Sequence, residues 1–544
     1  MNANGNAIQF DYVIVGAGSA GSVLAARLAA QRGVQVCLIE SGPAEDSVLV
    51  KCPAALAAVV PRRGKYNWAF ETVPQAGLLG RRGYQPRGRG LGGSSLINGM
   101  IYTRGHRSDY DEWAVLGNRG WGYDDVLPYF MRAENYEGGG DAWHGTGGPL
   151  SVASLRDPNP AAQAFVTAAT QAGYARNDDF NGATQEGFGL YHVTQRGGVR
   201  HSTGQAYLRP AMSRSNLTVW ARTQALKLVF DGCRASGVHC RGESGDFTIG
   251  ARREVILCAG AFQSPQLLML SGIGPVEELR SHGIAPRVGL EGVGRNLQDH
   301  IDYIALYQTR ENSVFGLTLR QALRMPRMAR EWRREGRGAL TTNFAEAGGF
   351  ARTRKALGRP DIQFHFLIGF SDDHGRQRYL GRYGVSCHVC VLRPKSVGRL
   401  TLAGMDPMLP PRIDPNFLAA QDDVQTLMDG YRIVQTIMNQ PAFARYGLRD
   451  MHPLAQGPDG QDGEAALENL VRRRADSIYH PVGTCRMGAD PLAVVDDRLR
   501  VHGIAGLRVV DASVMPTLIG ANTNAPTIMI AEKAADLIRQ GDIA

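Results

Sequence analysis

The fold is decided by Phe10-Asp-Tyr-Val-Ile-Val-Gly16-Ala-Gly18-Ser-Ala-Gly21, a short apolar run that enters a Gly-x-Gly-x-x-Gly turn. The apolar run predicts a β-strand, and the alanine-rich pattern after the turn predicts an α-helix. A second apolar run, Val36-Cys-Leu-Ile, ends in the acid Glu40. Strand, glycine turn, helix, strand and acid in this order predict one βαβ unit that binds a dinucleotide.

Each part of this unit has a physical task in a dinucleotide site. Gly16 permits the tight turn, Gly18 lets the backbone approach a pyrophosphate, and Gly21 lets the helix pack closely on the strand. The helix N-terminus offers free N–H groups and a positive dipole end to the phosphates. We expect Glu40 to accept hydrogen bonds from a ribose 2′-OH. The alternative, a glycine-rich turn without function, leaves the rest of the unit unexplained.

The composition indicates a globular protein with a large core. The chain has 544 residues and a net charge of +9. The basic excess is spread thinly apart from one arginine-rich segment, and no nucleic-acid motif accompanies it, so we expect no nucleic-acid partner. The first ten residues lack the features of a signal peptide, and no apolar window reaches about 18 residues. We therefore expect a cytoplasmic protein, with peripheral contact to the inner membrane left open.

The cysteines indicate neither disulfides nor a metal site. Eight of them are scattered along the chain, which is unlike the dense spacing of a disulfide framework. Cys387-His-Val-Cys390 lacks the second pair that a zinc site needs. Because this pair lies in an alternating run, we predict ordinary strand residues there.

A second informative stretch is Gly92-Gly-Ser-Ser-Leu-Ile-Asn98-Gly-Met100. Its glycines, serines and asparagine predict a loop with an exposed backbone. Such a loop can wrap a flat polar heterocycle with N–H groups, although it can also be a structural turn. The glycine doublet favours close approach to a ligand.

Two later segments repeat the pattern of a strand that ends in glycine or acid. Glu254-Val-Ile-Leu-Cys258-Ala-Gly260 predicts a buried strand, followed by a helix for which Ser264 and Pro265 suit the N-cap and the first position and Gly272 the C′ position. Leu507-Arg-Val-Val510-Asp511 predicts another strand before a helix over residues 528–539. With residues 11–40, these segments predict one discontinuous dinucleotide-binding sheet.

The hydrophobic pattern of the sequence changes between residues 301 and 479. Several runs there alternate with period two, which predicts antiparallel strands with one covered face. Residues 422–438 form a long amphipathic helical pattern. The predicted fold class is therefore α/β: a Rossmann-like domain with a second, α+β domain that carries an antiparallel sheet and packs over the first.

One segment is strongly basic. Arginines surround an apolar set, Met325, Met328, Ala329 and Trp332, at helical spacing; they are Arg320, Arg324, Arg327, Arg330, Arg333, Arg334 and Arg337. A basic amphipathic helix can lie on an anionic membrane. The residues alone favour the alternative, a solvated surface helix.

The candidate for chemistry is His480, which is followed by Pro481 and a glycine-rich turn. Oxidation of an alcohol needs a base for the hydroxyl proton, and histidine suits this task near neutral pH. A second polar group should hold the substrate oxygen. Asn524, on the loop before the last helix, is the candidate, with Asn522 two residues away. A lone histidine is more often structural than catalytic.

Over nearly its whole length the sequence resembles the glucose–methanol–choline (GMC) flavoprotein oxidoreductases, and within them the choline-dehydrogenase-like bacterial alcohol dehydrogenases. The resemblance rests on Gly88–Asp111, Gly260–Gly274, His480–Gly488 and the block from Asp511 to Thr527, and also on Leu340–Phe350, Arg393–Ser396 and Ile413–Asn416.

The resemblance implies FAD as the cofactor. It places the ADP half of FAD against Gly16, Gly18, Ser19, Ala20, Gly21, Glu40 and, at the adenine, Ala225. It places pyrophosphate, ribityl chain and flavin against Gly92, Gly93, Ser94, Asn98, Gly99, Met100, Ile101, Asp511, Ala512, Asn522 and Thr527, and adds Trp68 to the cofactor-binding set. Some relatives link FAD covalently through a histidine at the position of Ile97, so the resemblance implies non-covalent FAD here.

The resemblance also implies a division of the chain. The FAD-binding domain takes residues 1–158, 206–300 and 480–544, a cap segment takes 159–205, and the substrate-binding domain takes 301–479.

The implied reaction is oxidation of a primary aliphatic or aromatic alcohol to the aldehyde. His480 would accept the hydroxyl proton, Asn524 would hydrogen-bond the oxygen, and the hydride would pass to flavin N5. A quinone-like acceptor would take the electrons. The sequence leaves two alternatives open, an oxidase that uses O₂ and a flavin-retaining lyase.

Overall fold

The computed structural model describes residues 8–454 and 462–541. Its largest elements are two seven-stranded sheets. The α-helices are Ser19–Leu28, Val48–Lys51, Leu56–Val59, Arg107–Val115, Tyr123–Ala133, Pro160–Gln171, Arg209–Ala211, Gly260–Leu270, Val276–Ser281, Leu319–Glu335, Gln421–Met438, Asp462–Arg474 and Asn524–Gly541. Short two-stranded pairs join Phe70–Glu71 to Tyr84–Gln85, Glu134–Tyr136 to Leu150–Val152, Gln195–Arg196 to Val199–Arg200, Ile273–Gly274 to Val288–Gly289, and Arg399–Thr401 to Arg412–Asp414.

The first sheet contains the predicted βαβ unit. Its strands run in the order Leu217–Trp220, Val36–Ile39, Ile8–Val15, Gly245–Leu257, Arg234–Gly242 and Gln224–Asp231, and Leu507–Val509 pairs with Gly245–Leu257. Ile8–Val15 is parallel to Val36–Ile39 on one side and to Gly245–Leu257 on the other. These central strands are almost wholly buried, as parallel strands covered on both faces should be. The predicted strand–helix–strand unit is confirmed.

The last helix of the described chain completes this domain. Asn524–Gly541 lies against Ser19–Leu28, and the fully buried Glu532 joins the two. The Glu532 carboxylate accepts hydrogen bonds from Arg27 (2.8 Å from Nη2), Arg132 (2.8 Å from Nε) and the hydroxyl of Tyr207 (2.8 Å). A buried carboxylate is tolerated because every neighbour is a donor.

The second sheet is antiparallel, as predicted. Its order is Arg449–Asp450, Ile301–Thr309, Tyr383–Val391, Ile362–Leu367, Ala345–Ala351 and Gly187–Leu190, and Asp476–Ser477 pairs with Ile301–Thr309. One face packs against Gln421–Met438 and Pro160–Gln171 in a shared apolar core. The alternate residues of the same strands, such as Asp302, His365 and His388, face a cavity instead. The sheet therefore separates a core from a binding chamber.

The two sheets draw on the chain segments that the sequence suggested. Strands of the first sheet come from within 1–158, 206–300 and 480–544, and those of the second from within 159–205 and 301–479. The precise domain boundaries stay a prediction.

The helix after Cys258 begins earlier than predicted. It spans Gly260–Leu270, so Ser264 and Pro265 lie inside it and the predicted N-cap is wrong. Pro265 cannot donate to the carbonyl of Ala261, and the Thr484 hydroxyl donates to that carbonyl at 2.6 Å instead. Gly272 follows the helix with φ of 83°, which confirms the predicted C′ glycine.

The structure also shows the state of the cysteines and the surroundings of the Cys387–Cys390 pair. The eight cysteines are free, and Cys387 and Cys390 belong to the strand Tyr383–Val391. Within residues 8–454 and 462–541, no group of histidines, cysteines and acids could hold a metal ion. No helix in these same ranges is both long and apolar enough to span a bilayer.

Candidate active site

One cavity of about 1170 Å³ extends from the first sheet to the face of the second sheet that points away from its apolar core. It opens beside the carboxyl ends of the parallel strands, where open α/β sheets bind their ligands. Nineteen of the predicted site residues line it: Gly16, Gly18, Ser19, Ala20, Glu40, Trp68, Gly93, Ser94, Asn98, Gly99, Met100, Ile101, Ala225, His480, Asp511, Ala512, Asn522, Asn524 and Thr527.

The other two predicted residues, Gly21 and Gly92, do not line the cavity. They contact the residues that form its wall. A Cβ at Gly21 would lie 1.9 Å from the carbonyl oxygen of Gly16, so only glycine lets the helix sit this close to the turn. The N–H of Gly92 donates to the carbonyl of Ala17 at 2.8 Å. This bond fixes the second glycine loop on the first.

The two glycine loops touch each other directly. A Cβ at Gly93 would lie 2.6 Å from Cα of Gly18, and Gly93 has φ of 52°. A side chain here would push the loop away from the helix start and displace the wall of the cavity. The loop for which the sequence predicted close approach to a ligand thus packs directly on the Gly16–Gly21 turn.

The start of the helix Ser19–Leu28 faces the cavity without a side-chain cap. Its first N–H groups therefore have no partner within the helix, and they sit at the positive end of the helix dipole. Such an N-terminus binds phosphate groups. The close-packed loops, the uncapped helix and the long cavity together fit the diphosphate of FAD.

Glu40 ties three backbone segments together. Its carboxylate accepts from the N–H groups of Ala17 (2.9 Å), Gly42 (2.8 Å) and Gly90 (3.0 Å), and it lines the cavity. Burial raises the pKa of Glu40 above its ordinary value. Besides any contact to a ribose, the acid holds the turn, the second strand and the glycine loop in register.

Asp511, like Glu40, links separate segments of the chain, here at the C-terminal strand Leu507–Val509. Its Oδ2 accepts from the N–H of Gly260 (2.9 Å) and the hydroxyl of Ser264 (2.6 Å), and its Oδ1 accepts from the N–H of Ser513 (2.8 Å). Asp511 thereby connects the C-terminal strand to the helix Gly260–Leu270, about 250 residues earlier in the chain.

His480 is buried in the wall of the cavity and held from three sides. Its backbone N–H donates to Asp299 at 2.7 Å. Its Nδ1 lies 2.9 Å from Nδ1 of His300, and its Nε2 lies 3.1 Å from Nδ2 of Asn522. Tyr479, just before it, has φ of 76°, a rare conformation for a residue with a side chain, of the kind that concentrates at functional sites.

The hydrogen bonds assign the proton on this imidazole. Nε2 of His300 lies 3.0 Å from the carbonyl of Leu392, which can only accept, so it carries the proton. A neutral His300 then has a bare Nδ1 that accepts from His480. His480 must therefore be protonated at Nδ1 and bare at Nε2. A bare Nε2 in a cavity wall is the state of a general base.

The surroundings keep both imidazoles neutral. Burial lowers the pKa of His480 well below the ordinary range, and the neighbouring His300, His365 and Arg87 lower it further. Burial likewise lowers the pKa of His300 to about 4. Because both groups stay neutral at neutral pH, the tautomer assignment holds there.

The amide of Asn522 is oriented by two donors. Its Oδ1 accepts from the hydroxyl of Thr103 (3.1 Å) and from Nε2 of Gln363 (3.1 Å). Gln363 is fixed in turn by the hydroxyl of Tyr191 at 3.1 Å. With Oδ1 occupied, Nδ2 points at Nε2 of His480. Nε2 has a single lone pair, so this N–H occupies it until a substrate hydroxyl takes its place; the pair then offers a donor and an acceptor to that one group.

The structure shows a hydrogen bond of Asn524 to the first helix rather than to His480. Its Oδ1 accepts from the hydroxyl of Ser19 at 2.7 Å, at the start of the helix Ser19–Leu28. The residue that contacts His480 is Asn522, which the sequence had placed with the cofactor. The chain turns between the two asparagines, at the start of Asn524–Gly541, so neighbouring amides point to different parts of the cavity.

A polar row on the second sheet faces the same chamber. Nδ1 of His388 lies 2.5 Å from Oδ2 of Asp302, and His365 is the cross-strand neighbour of His388. The remaining side-chain polar atoms of these three residues are buried without a hydrogen-bond partner. Buried polar atoms of this kind are normally satisfied by water or by a ligand.

Sequence reasoning missed the residues that orient the pair: Thr103, Asp299, His300 and Gln363. A signal existed for two of them, because Asp299-His300 is a polar pair directly before a buried strand. Thr103 and Gln363 carry no such signal, since each is an ordinary residue of a loop or strand.

Comparison with known proteins finds relatives over nearly the whole chain. A family model described as GMC oxidoreductase matches residues 10–302, and a second with the same description matches residues 394–531. The chain is 43% identical to an "Alcohol dehydrogenase [acceptor]" of Pseudomonas putida over 98% of this chain and 97% of the relative. It is 45% identical to an "Oxygen-dependent choline dehydrogenase" of Burkholderia mallei over 98% of this chain and 94% of the relative.

Among solved structures, a formate oxidase of Aspergillus oryzae RIB40, studied for modification of its FAD, superposes with a TM-score of 0.90. The two chains are 27% identical, and the superposition covers 98% of each.

Proposed function

We propose that this chain, which belongs to the GMC oxidoreductase family, oxidises a primary alcohol to the aldehyde and passes the electrons to a quinone-like acceptor. Within that family it is an FAD-dependent enzyme that acts on CH–OH groups. One observation carries the proposal: the bare Nε2 of His480 lies beside the Asn522 amide in the wall of the cavity.

The division of labour follows from the two ends of the cavity. When bound, FAD would supply the acceptor for the hydride that leaves the alcohol carbon. The residues that would hold it are those of the glycine loops, the uncapped helix, Glu40, Ala225 and Asp511. Ile97 has no nitrogen nucleophile, which supports non-covalent binding.

His480 performs the proton transfer. Its Nε2 takes the hydroxyl proton as the C–H bond breaks, which raises electron density on the oxygen and promotes hydride loss. Its Nδ1–H stays hydrogen-bonded to His300 at 2.9 Å, so the ring keeps its orientation while it becomes charged. General-base catalysis of this kind contributes about 10²–10⁴-fold.

Asn522 holds the substrate oxygen. Its Nδ2 carries a second N–H besides the one directed at His480, and in this proposal one of the two donates to the alcohol oxygen. A fixed donor stabilises the negative charge that develops on this oxygen without reorganising. We assign this role to Asn522 and leave Asn524 to the cofactor end.

The walls of the chamber favour neutral alcohols. Ile101, Phe344 and Leu367 supply apolar surface for an aliphatic or aromatic substrate. The one acid of the polar row, Asp302, is hydrogen-bonded through Oδ2 to Nδ1 of His388, and only its Oδ1 remains for a cationic substrate. A quaternary ammonium alcohol such as choline would gain little there, and we propose primary aliphatic or aromatic alcohols as substrates.

The test is anaerobic mixing of the holoenzyme with an alcohol panel that contains 1-alkanols, benzyl alcohol and choline, followed by flavin absorbance. We expect bleaching by the neutral alcohols, and faster reoxidation by a soluble quinone than by O₂. Absence of bleaching with every alcohol would refute alcohol oxidation. Faster reoxidation by O₂ would make the protein an oxidase, and cleavage of a cyanohydrin by a holoenzyme that no alcohol bleaches would favour a lyase.

We further propose a cytoplasmic location with peripheral contact to the inner membrane, because a quinone-like acceptor resides in the bilayer. Fractionation of cells that express the protein, before and after a salt wash, tests this location.

A further inference from the structure

The mouth of the cavity is bordered by an unusual surface. The segment that leads into the helix Leu319–Glu335 and the first turns of that helix line the opening, through Leu317, Leu319 and Met325. A substrate or acceptor that enters the chamber from this side therefore passes this helix first.

Of the apolar set that the sequence analysis singled out in this segment, Met328 and Trp332 attach the helix to the protein, whereas Met325 is exposed. Met328 and Trp332 are buried in a small core with Cys52, Ala54 and Leu340. The indole N–H of Trp332 donates to the carbonyl of Gly198 at 2.8 Å. This face is thus already occupied by the rest of the chain.

A different apolar set faces outward, which we call the leucine rim: Leu317, Leu319, Leu323 and Leu380. Leu319, Leu323 and Leu380 are 76%, 74% and 77% exposed. The N–H of Gly381 donates to the carbonyl of Leu317 at 2.8 Å, which joins the Leu380 loop to the helix entry. Single exposed leucines are common on protein surfaces, whereas several around one opening mark an interaction site.

Six exposed arginines accompany the leucine rim: Arg320, Arg324, Arg327, Arg330, Arg333 and Arg334. Across residues 8–454 and 462–541, none of the six forms an ion pair. Arg337 differs, because it pairs with Asp157 at 2.8 Å. Unpaired guanidinium groups beside exposed leucines present positive charge and apolar surface together, a combination that an anionic and partly apolar partner complements.

We propose that the leucine rim and the six arginines dock the protein on an anionic phospholipid bilayer. The leucines enter the headgroup layer, and the arginines pair with lipid phosphates, as in helices that lie in the membrane interface. The charge complementarity favours a bilayer over a second copy of this chain, whose matching surface would be equally basic.

Docking in this orientation places the cavity mouth against the lipid. This consequence rests on the proposed function: a lipophilic alcohol or quinone would then move from the bilayer into the chamber without crossing water. The docking itself can be measured without any substrate.

The experiment is co-sedimentation of the holoenzyme with vesicles of phosphatidylcholine alone or of phosphatidylcholine with phosphatidylglycerol. We expect binding to the anionic vesicles only, and weaker binding as salt rises, because the arginines are exposed and screened. The variant Leu323→Ser/Leu380→Ser should lower the partition coefficient about tenfold. The variant Arg324→Gln/Arg327→Gln/Arg330→Gln should lower it by roughly fivefold per arginine.

The matched control is Val115→Ser/Leu116→Ser, which removes an apolar pair that is 85% and 53% exposed elsewhere. It should bind vesicles like the parent protein. Equal binding by the Leu323→Ser/Leu380→Ser variant, equal binding to neutral vesicles, or a dimer that forms through the rim without vesicle binding would each overturn the proposal.

The readout separates this proposal from the proposed function. Leu323 and Leu380 lie outside the cavity wall, so flavin bleaching by a water-soluble alcohol should be unchanged in that variant. Loss of vesicle binding with intact bleaching affects only the docking proposal, whereas absence of bleaching with intact vesicle binding affects only the alcohol oxidation.

Discussion

The two ends of the cavity differ in whether backbone groups or side chains form them. The cofactor end is made of backbone: glycine turns in contact, an uncapped helix start and acids that accept from N–H groups. The chemical end is made of side chains from distant segments, with His480 and Asn522 oriented by His300, Gln363 and Thr103. The contrast teaches that binding and chemistry can fail separately, and each prediction below tests that separation.

The largest effect is expected where the two glycine loops touch. Gly93→Val places a side chain 2.6 Å from Cα of Gly18 at a positive φ, so the loop must leave the helix start. We expect a purified protein with almost no flavin absorbance and therefore no activity. Gly358→Ala is the control, because its Cβ meets open space. Normal flavin content in Gly93→Val would show that the loop contact is dispensable.

At the chemical end, His480→Ala should have the opposite pattern. We expect full flavin content, because the imidazole belongs to none of the backbone contacts of the cofactor end, and a rate of bleaching by alcohol that falls about 10²–10⁴-fold. His239→Ala, on the strand Arg234–Gly242, serves as the control. Bleaching at the parent rate would remove His480 as the base.

The two asparagines provide the sharpest comparison because they are two residues apart. Asn522→Ala removes the donor beside His480 and should lower the bleaching rate about 10–100-fold with FAD retained. Asn524→Ala removes the contact to Ser19 and should weaken FAD retention, measured as flavin lost on dialysis, with a smaller change in rate per bound flavin. The reverse pattern would restore the assignment made from sequence.

The smallest expected effect concerns the free energy of unfolding at acidic pH. Burial lowers the pKa of His365 to about 3, so the unfolded chain binds a proton below about pH 6.5 that the folded chain refuses. The parent protein should therefore lose unfolding free energy relative to His365→Leu as pH falls from about 6.5, by up to about 1.4 kcal/mol per pH unit. Urea midpoints of both proteins at two pH values measure this.

The difference between the two proteins isolates the histidine. Burial raises the pKa of Asp299 to about 6 and that of Glu346 to about 7. These two acids act in the opposite direction, but they act alike in both proteins. A difference that stays constant between pH 7.5 and pH 5 would contradict the prediction.

The same contrast explains what the sequence could predict. Gly16 to Glu40 is a local unit. The spacing of its residues was therefore enough to predict the strands, the turn, the helix and the acid, without information from the rest of the chain. Which of Asn522 and Asn524 contacts His480 depends on how one turn packs against that histidine. The hydrophobic periodicity of the sequence contains no information about this packing. Gln363 is indistinguishable from any strand residue until the sheet is assembled.

The basic helix shows a further limit of pattern reading. Helical spacing correctly grouped Met328 with Trp332, and the helix formed over Leu319–Glu335. Spacing alone does not say whether an apolar stripe meets solvent or the same chain. The outward leucines belong partly to a loop, so a helical pattern could not include Leu380.

The buried Glu532 has a consequence for how the chain acquires its structure. This carboxylate joins Arg27 to a helix about 500 residues later, so the glycine turn at the start of the chain cannot gain its final support until nearly all of the protein has been synthesised. Native contacts with so large a separation in sequence are slow to form. The nascent N-terminal half therefore exposes apolar strands throughout translation, and a chain cut before Glu532 should be a substrate for chaperones and proteases rather than a smaller flavoprotein.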